Sequence, residues 1–421
     1  MKEVQPRKTI AATVSVPGSK SLSHRALIAA ALASGESRLT NLLECEDTIY
    51  TLKALRDLGM DIENANGITT IAGRGGRFPV PSGTRTLFLG NSGTSLRLLL
   101  STAALVRGET ILTGTLRLQE RPIGELVRAL RELGVQDIAA LRDNFPPLRI
   151  RSQGIKGGKA RLTGQESSQY LSSLLLAAPY AGAEVEIEVD GSIVSSPYVD
   201  LTLEVMDRFG VGVRREGYSR FKVPAGPGYH PVDYQVEGDA SSASYFWSAA
   251  AVTGGTVVTE NVFPQSSRQG DMSFLDLLEK MGAVVRKEAR RAVVQGRTLA
   301  GIEADMSAMP DMVPTLAALA LFAKGKTVIR NVAHLRHKES DRLQALREEW
   351  TRLGARIEEL PDGLIIEGSV PLNGALCDPH NDHRLAMSLA VIGLKVPGIK
   401  IRNETCVQKS FPNFWAWWDC L

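Results

Sequence analysis

The chain has 421 residues, 43% of them hydrophobic and 23% charged, which fits a soluble globular protein too long for one ordinary core. Its formal charge of +3 is small for that length and excludes bulk nucleic-acid binding, while leaving room for a local basic pocket. Cys45, Cys377, Cys406 and Cys420 form no CxxC pair and have no His at zinc spacing, so they read as reduced thiols.

The first residues, MKEVQPRKTI, lack the apolar stretch of a signal peptide, and no apolar run is long enough to span a bilayer. A soluble, cytoplasmic chain is expected. From there the chain repeats itself. LRDLGMDI at Gly59, LRELGVQDI at Gly134, MDRFGVGV at Gly210, LEKMGAVV at Gly282 and WTRLGARI at Gly354 share one phrase. The spacing is about 72 to 76 residues, a fixed period that marks copies of one unit. In each phrase a helix ends at a glycine able to turn left-handed, and alternating strand residues follow. The period predicts small βαβαββ units, three to a domain, with the Pro/Gly-rich stretch 223–238 as the crossover between two domains.

The first polar motif follows a strand-like VSV. In PGSKSLSHRALIAAALASG, Pro17 and Gly18 make a turn and Ser19 or Ser21 can cap an alanine-rich helix. Lys20, hydroxyls and free N–H groups at a helix start make an anion site, with Arg25 on nearly the same face. A nucleotide P-loop is a poor fit, because Ser19 precedes Lys20 and the upstream glycine is missing. Next, LGNSGTSLRLLL places Asn91, Gly93 and Thr94 before a helix, and Gly93 lets a ligand approach the backbone. In QERPIGELVRALRELG, Pro122 suits a first helical turn and puts Arg121 beside a helix N-terminus. A bound anion would offset that unfavourable placement; an ordinary surface Arg is the plain alternative.

ESSQYLSSLLLAAP sets Ser167, Ser168 and Gln169 at one helix start, and VSSPYVDLT sets Ser195, Ser196 and Tyr198 at another. Hydroxyls there also serve as ordinary caps. Charge is densest in the second half. MPDMVPTLAALALFA carries Asp311 just ahead of an apolar helix, and HLRHKESDRLQALREE carries Arg336, Lys338, Glu339 and Arg342. DPHNDHRLAMSLAV carries Asp382, His383 and Arg384, and CVQKSFPNFW carries Lys409. Alone, the KES-DR cluster reads as a solvated helix face. NDHR before a buried helix instead suggests a polar mouth above a core.

Taken in order, these strings resemble the 5-enolpyruvylshikimate-3-phosphate synthases, over about residues 10 to 415. The resemblance implies an α/β fold, the two-domain inside-out α/β barrel with three βαβαββ units in each domain. It implies a first domain of 1–18 and 236–421, a second of 19–235, and a hinge near 12–20 and 230–240. It also implies transfer of the enolpyruvyl group of phosphoenolpyruvate to the 5-hydroxyl of shikimate 3-phosphate. No metal and no organic cofactor are called for, and a monomer without nucleic-acid or membrane partners is expected.

By matched position, Asp311 and Glu339 would be the acid–base pair, with Lys20 serving both substrates. Ser21, Arg25, Tyr198 and Lys338 would hold shikimate 3-phosphate, with Ser167, Ser168 and Ser195 on its phosphate. Arg121, Arg342, Arg384 and Lys409, with Asn91 and Gly93, would surround phosphoenolpyruvate, and Gln169 would lie between the ligands. His334 stands where the family often has Asn, so no role carries over to it. Because these residues divide between Lys20–Ser195 and Asp311–Lys409, the domains are expected to close on shikimate 3-phosphate. Glyphosate is expected to compete with phosphoenolpyruvate beside Gly93. The rival UDP-N-acetylglucosamine enolpyruvyl transferases look for a reactive Cys ahead of their Arg-Pro; here that position is Leu116. A non-catalytic protein on the same scaffold could lose Asp311, Glu339 or Lys20, yet all are present.

Overall fold

A computed structural model describes all residues except Pro81, Ser82 and Pro227, and all described side chains except that of Leu141. Pro227, within the crossover stretch 223–238, therefore lies outside the described residues. The chain divides into two compact units, Gly18–Val236 and Met1–Pro17 with Glu237–Leu421.

One copy of the repeat shows the plan in uninterrupted sequence. Strand Arg85–Phe88, helix Gly93–Leu105 and strand Gly108–Thr113 are followed by helix Gly124–Glu132. Strands Asp137–Arg142 and Phe145–Ser152 then close it as a hairpin. The first two strands are parallel, as a helical crossover requires, and Phe145–Ser152 pairs antiparallel with the second. The same strand order recurs between Gly158 and Val223 and between Glu303 and Glu367.

Two copies take their leading strand from far along the chain. Asp233–Gln235 runs parallel to Ser34–Thr40, and Ala11–Ser15 runs parallel to Thr256–Glu260. The last copy is reduced. Leu376–Cys377, Lys400–Ile401 and Lys2–Glu3 make a three-stranded sheet, where the other five sheets among the described residues have four strands. This shorter copy matches the absence of a sixth helix–glycine–strand phrase after Gly354.

The shared phrase has one geometry. Gly59, Gly134, Gly210, Gly282 and Gly354 all have φ between 84° and 109°. At Gly59, the Gly59 N–H donates to Arg56 O and the next N–H, of Met60, reaches back to Leu55 O. The same pair of bonds recurs at each of the other four, closing the last helical carbonyls in a left-handed turn that a Cβ would strain.

Each copy also supplies one helix buried on all sides. In Gly18–Val236 these are Lys20–Leu32, Gly93–Leu105 and Ser168–Ala177. In the other unit they are Ala240–Thr253, Val313–Ala320 and His383–Gly393. Runs such as ALIAAAL have no polar face, so the helix can only be central. Each buried leucine contributes roughly 2 kcal/mol relative to exposure. Serines replace bulk where helices approach, as where Ser173 Oγ donates to Ser101 Oγ at 2.7 Å. Among the remaining helices, Gly124–Glu132 is amphipathic and turns Leu126, Val127, Ala129 and Leu130 inward. A central helix surrounded by apolar neighbours can place polar chemistry only at its ends.

Candidate active site

In Gly18–Val236 the starts of the three central helices lie together. Gln169, at the start of Ser168–Ala177, accepts from Arg97 Nη1 and donates to Thr94 Oγ1, both at 3.1 Å. Lys20, the first residue of its helix, pairs with the buried carboxylate of Asp47 at 3.1 Å. The carbonyl of Asp47 in turn accepts from Ser95 Oγ, in the first turn of Gly93–Leu105. Three helix N-termini at one place offer converging N–H groups and positive dipole ends, which favour an anion.

Hydroxyls complete this end. Ser167 caps Ser168–Ala177, its Oγ accepting from Gln169 N, and Ser168 is buried beside it. Ser195 is buried in a left-handed conformation at φ 57°, a strain that a non-glycine residue tolerates where its surroundings demand it. Ser21 and Asn91 are half-buried at the helix starts. Arg25 is only 1% exposed, and burial lowers its pKa to about 10. It donates to Thr202 Oγ1, Ser21 O, Ser172 Oγ and Tyr198 O, which engages four of its five N–H groups. Arg25 thus braces the helix Pro197–Arg208 before it can serve a ligand, and the Tyr198 carbonyl is one of its anchors.

One local expectation changes. The helix after Arg121 begins at Gly124, because Ile123 (φ −146°, ψ −3°) is not helical; Pro122 lies outside the first turn. Gly93 lies close against Arg121. A Cβ there would fall 2.5 Å from Arg121 Nη1 and 2.6 Å from its Cζ, so a methyl meets the buried Arg121 guanidinium first.

The other unit gathers charge. Arg342, 1% exposed, begins helix Arg342–Arg352. Its Nη1 reaches Asp311 Oδ1 at 2.9 Å, its Nη2 reaches Glu339 Oε2 at 3.0 Å, and its Nε reaches Asp382 Oδ2 at 2.8 Å. Burial works against its charge, but Asp382, Glu339 and Asp311 outweigh it and raise its pKa. Arg384 Nη2 holds the second oxygen of Asp311 at 2.6 Å. Asp311 sits in the turn Pro310–Met312 directly before Val313–Ala320, and Asp382 caps His383–Gly393, accepting from Arg384 N at 3.0 Å.

Lys338 and Glu339 are not on a helix face, as KES-DR alone suggested. The helix starts at Arg342 with Asp341 as its cap, and the two residues lie in the preceding turn. His334 is held down to about 3 by burial and by Lys338, so its imidazole is neutral. Lys409 is buried at the end of the turn Glu404–Lys409. Among the described residues no cluster of three or more His, Cys, Asp or Glu could hold a metal ion, and no helix is long and apolar enough to cross a membrane.

The sequence profile of EPSP synthase (3-phosphoshikimate 1-carboxyvinyltransferase) matches residues 4–418. The chain belongs to the EPSP synthase family. A 3-phosphoshikimate 1-carboxyvinyltransferase from Syntrophobacter fumaroxidans is 46% identical over 422 residues, covering 100% of this chain and 99% of the relative. One from Methanoculleus marisnigri is 47% identical, covering 95% and 94%. A solved EPSP synthase from Acinetobacter baumannii superposes with a TM-score of 0.82 at 32% identity, over 98% of this chain and 96% of the other. The family's two-domain α/β fold is thereby that of this chain, and its enolpyruvyl-transferase activity, expected from the ordered motifs, follows from the same membership.

Within that family frame, the structure gathers Asp311, Glu339, Arg342 and Arg384 into one network and Gln169 into another with Thr94 and Arg97. Sequence reasoning did not single out Arg97 or Asp47, whose roles depend on contacts across more than 25 residues. Asp382 had a legible signal, an Asp at a cap position before a buried helix, but its hold on Arg342 had none.

Proposed function

We propose that Asp311 and Glu339 are the acid–base pair for the family's reaction. In it the enolpyruvyl group of phosphoenolpyruvate passes to the 5-hydroxyl of shikimate 3-phosphate and phosphate leaves. Asp311 takes the hydroxyl proton as that oxygen bonds to C2 of phosphoenolpyruvate. Glu339 gives a proton to C3, converting the methylene to a methyl group. The tetrahedral adduct then loses phosphate by cleavage of its C2–O bond, the leaving phosphate taking the proton that Asp311 had accepted, and it returns a C3 proton to Glu339, which restores the double bond. A positioned acid or base of this kind is worth about 10² to 10⁴ in rate.

The observation that carries this reading is the shared grip of Arg342 on Asp311 and Glu339. Two carboxyl groups on one guanidinium are held in fixed relation, as proton transfer to neighbouring atoms requires. Arg342, Arg384, Arg121 and Lys409, with Asn91 and the Gly93 backbone, take the anionic groups of phosphoenolpyruvate; arginine suits a planar carboxylate by its fork. Ser167, Ser168 and Ser195 take the phosphate of shikimate 3-phosphate, with Ser21, Arg25 and Tyr198 behind them. Lys20 and Gln169 serve both substrates, and Lys338 lies by the acceptor hydroxyl. The neutral His334 can hydrogen-bond much as the family's Asn would.

A cytoplasmic monomer without nucleic-acid or membrane partners goes with this reading; light scattering of the purified chain checks the monomer. The activity is tested by phosphate release from phosphoenolpyruvate with each acceptor in turn. Release with shikimate 3-phosphate is expected. Release only with UDP-N-acetylglucosamine would overturn the reading.

A further inference from the structure

One buried acid of the charged unit has no part in the chemistry above. Asp271, 6% exposed, lies in the turn Gly270–Ser273. One of its oxygens accepts the hydroxyl of Ser241, while the other, Oδ1, has no hydrogen-bond partner among the described residues. Ser241, 5% exposed, is in the first turn of the central helix Ala240–Thr253. Its Oγ lies 3.4 Å from Arg384 Nη2, the same nitrogen that holds Asp311 Oδ2 at 2.6 Å.

A serine hydroxyl has one hydrogen and two lone pairs. Once its hydrogen is committed to Asp271, Ser241 Oγ can face Arg384 only as an acceptor. We propose that Asp271 is a positioning residue for phosphoenolpyruvate: through Ser241 it fixes the Arg384 guanidinium that receives the substrate. This rests on the assignment of Arg384 to phosphoenolpyruvate made above.

Packing alone is a poor account of Asp271. A half-satisfied buried carboxyl destabilises a fold, and an apolar side chain of similar size would avoid that cost. Burial, reinforced by the nearby charge of Asp311 and opposed by Arg384, pushes its pKa up to about 7. A group kept at that disadvantage, one hydroxyl away from a site arginine, is accounted for by what it does to that arginine.

The test compares Michaelis constants in Ser241→Ala, Asp271→Ala, their double variant, and Arg384→Ala. Each single change at 241 or 271 should raise KM for phosphoenolpyruvate about tenfold, the weight of one charge-assisted hydrogen bond. KM for shikimate 3-phosphate should stay within about twofold, since a general loss of folded protein would not separate the substrates. The double variant should be no worse than Ser241→Ala, because the two residues act in series. Ser241→Thr, which keeps the hydroxyl, should restore the constant. If Asp271→Ala does not fold, Asp271→Asn keeps the shape and should raise the same constant. Arg384→Ala raising KM for phosphoenolpyruvate while Ser241→Ala and the Asp271 variants leave it unchanged would overturn this inference alone. An unchanged constant in Arg384→Ala would overturn the assignment of Arg384 as well.

Discussion

In Gly18–Val236 the polar end is made of hydroxyls, main-chain N–H groups at three helix starts, the Lys20–Asp47 pair, Arg97 on Gln169, and Arg121 against Gly93. In Met1–Pro17 with Glu237–Leu421 it is made of arginines interlocked with carboxylates: Arg342 on Asp311, Glu339 and Asp382, and Arg384 on Asp311. One plan of central helices therefore carries two chemistries. Neutral donors at helix starts hold a phosphate without needing a proton to move. Arginines set among carboxyls can hold an anion with the guanidinium while the carboxyls exchange protons. On the roles proposed above, the first unit supplies mainly retention and the second the proton transfers, so changes in each should register in different quantities.

The largest effect is expected where protons move. Asp311→Asn and Glu339→Gln should each lower kcat by about 10² to 10⁴-fold with much smaller changes in KM, because each swap keeps shape. Steady-state kinetics decides this, and near-normal kcat in Asp311→Asn would remove that residue from the mechanism.

Stability should break next. Asp382 is fully buried, holds Arg342 Nε and caps His383–Gly393. Asp382→Ala removes one partner of a buried pair, a change that costs about 3–5 kcal/mol. Urea unfolding should show the loss, while Ser167→Ala, the loss of a helix cap in the other unit, should cost only about 1 kcal/mol.

A smaller effect is expected at Gly93. The alanine methyl would press on the Arg121 guanidinium, and overpacking of about 1–3 kcal/mol corresponds to roughly a tenfold to hundredfold weaker site. KM for phosphoenolpyruvate and the glyphosate inhibition constant should therefore rise together in Gly93→Ala. A rise in the inhibition constant alone would show that the methyl reaches the inhibitor without disturbing Arg121.

The smallest is a pH effect. His334, with an ordinary value of 6.5, is held down to about 3 in the folded chain. Below pH 6.5 the unfolded chain binds a proton there that the folded chain refuses, so stability falls as pH drops towards 3. Asn carries no such proton. Thermal unfolding of His334→Asn should lose less stability than wild type between pH 6.5 and pH 4, and parallel curves would contradict the shift.

Much of this molecule was legible from its residues. The five glycine phrases announced the copies because a left-handed helix end leaves a chemical requirement in the sequence. The absence of a sixth phrase agreed with the reduced sheet at Leu376–Cys377. Polar strings ahead of apolar runs marked the helix starts, since a buried helix meets solvent and ligands at its ends. What stayed hidden depends on distance across the fold. Nothing near Asp382 says that it grips Arg342, forty residues away, and nothing near Arg25 says that Ser172 and Thr202 absorb its donors. The reading of KES-DR as a helix face failed because Asp341 claims the cap and starts the helix beyond it.

The division between retention and reaction is tested most directly by titrating shikimate 3-phosphate calorimetrically into Glu339→Gln and Ser167→Ala. Glu339→Gln should bind it within about threefold of wild type while turning over at least about a hundredfold more slowly. Ser167→Ala should bind it about tenfold more weakly, the loss of one hydrogen bond to a charged group. Weakened binding in Glu339→Gln together with unchanged binding in Ser167→Ala would contradict the account.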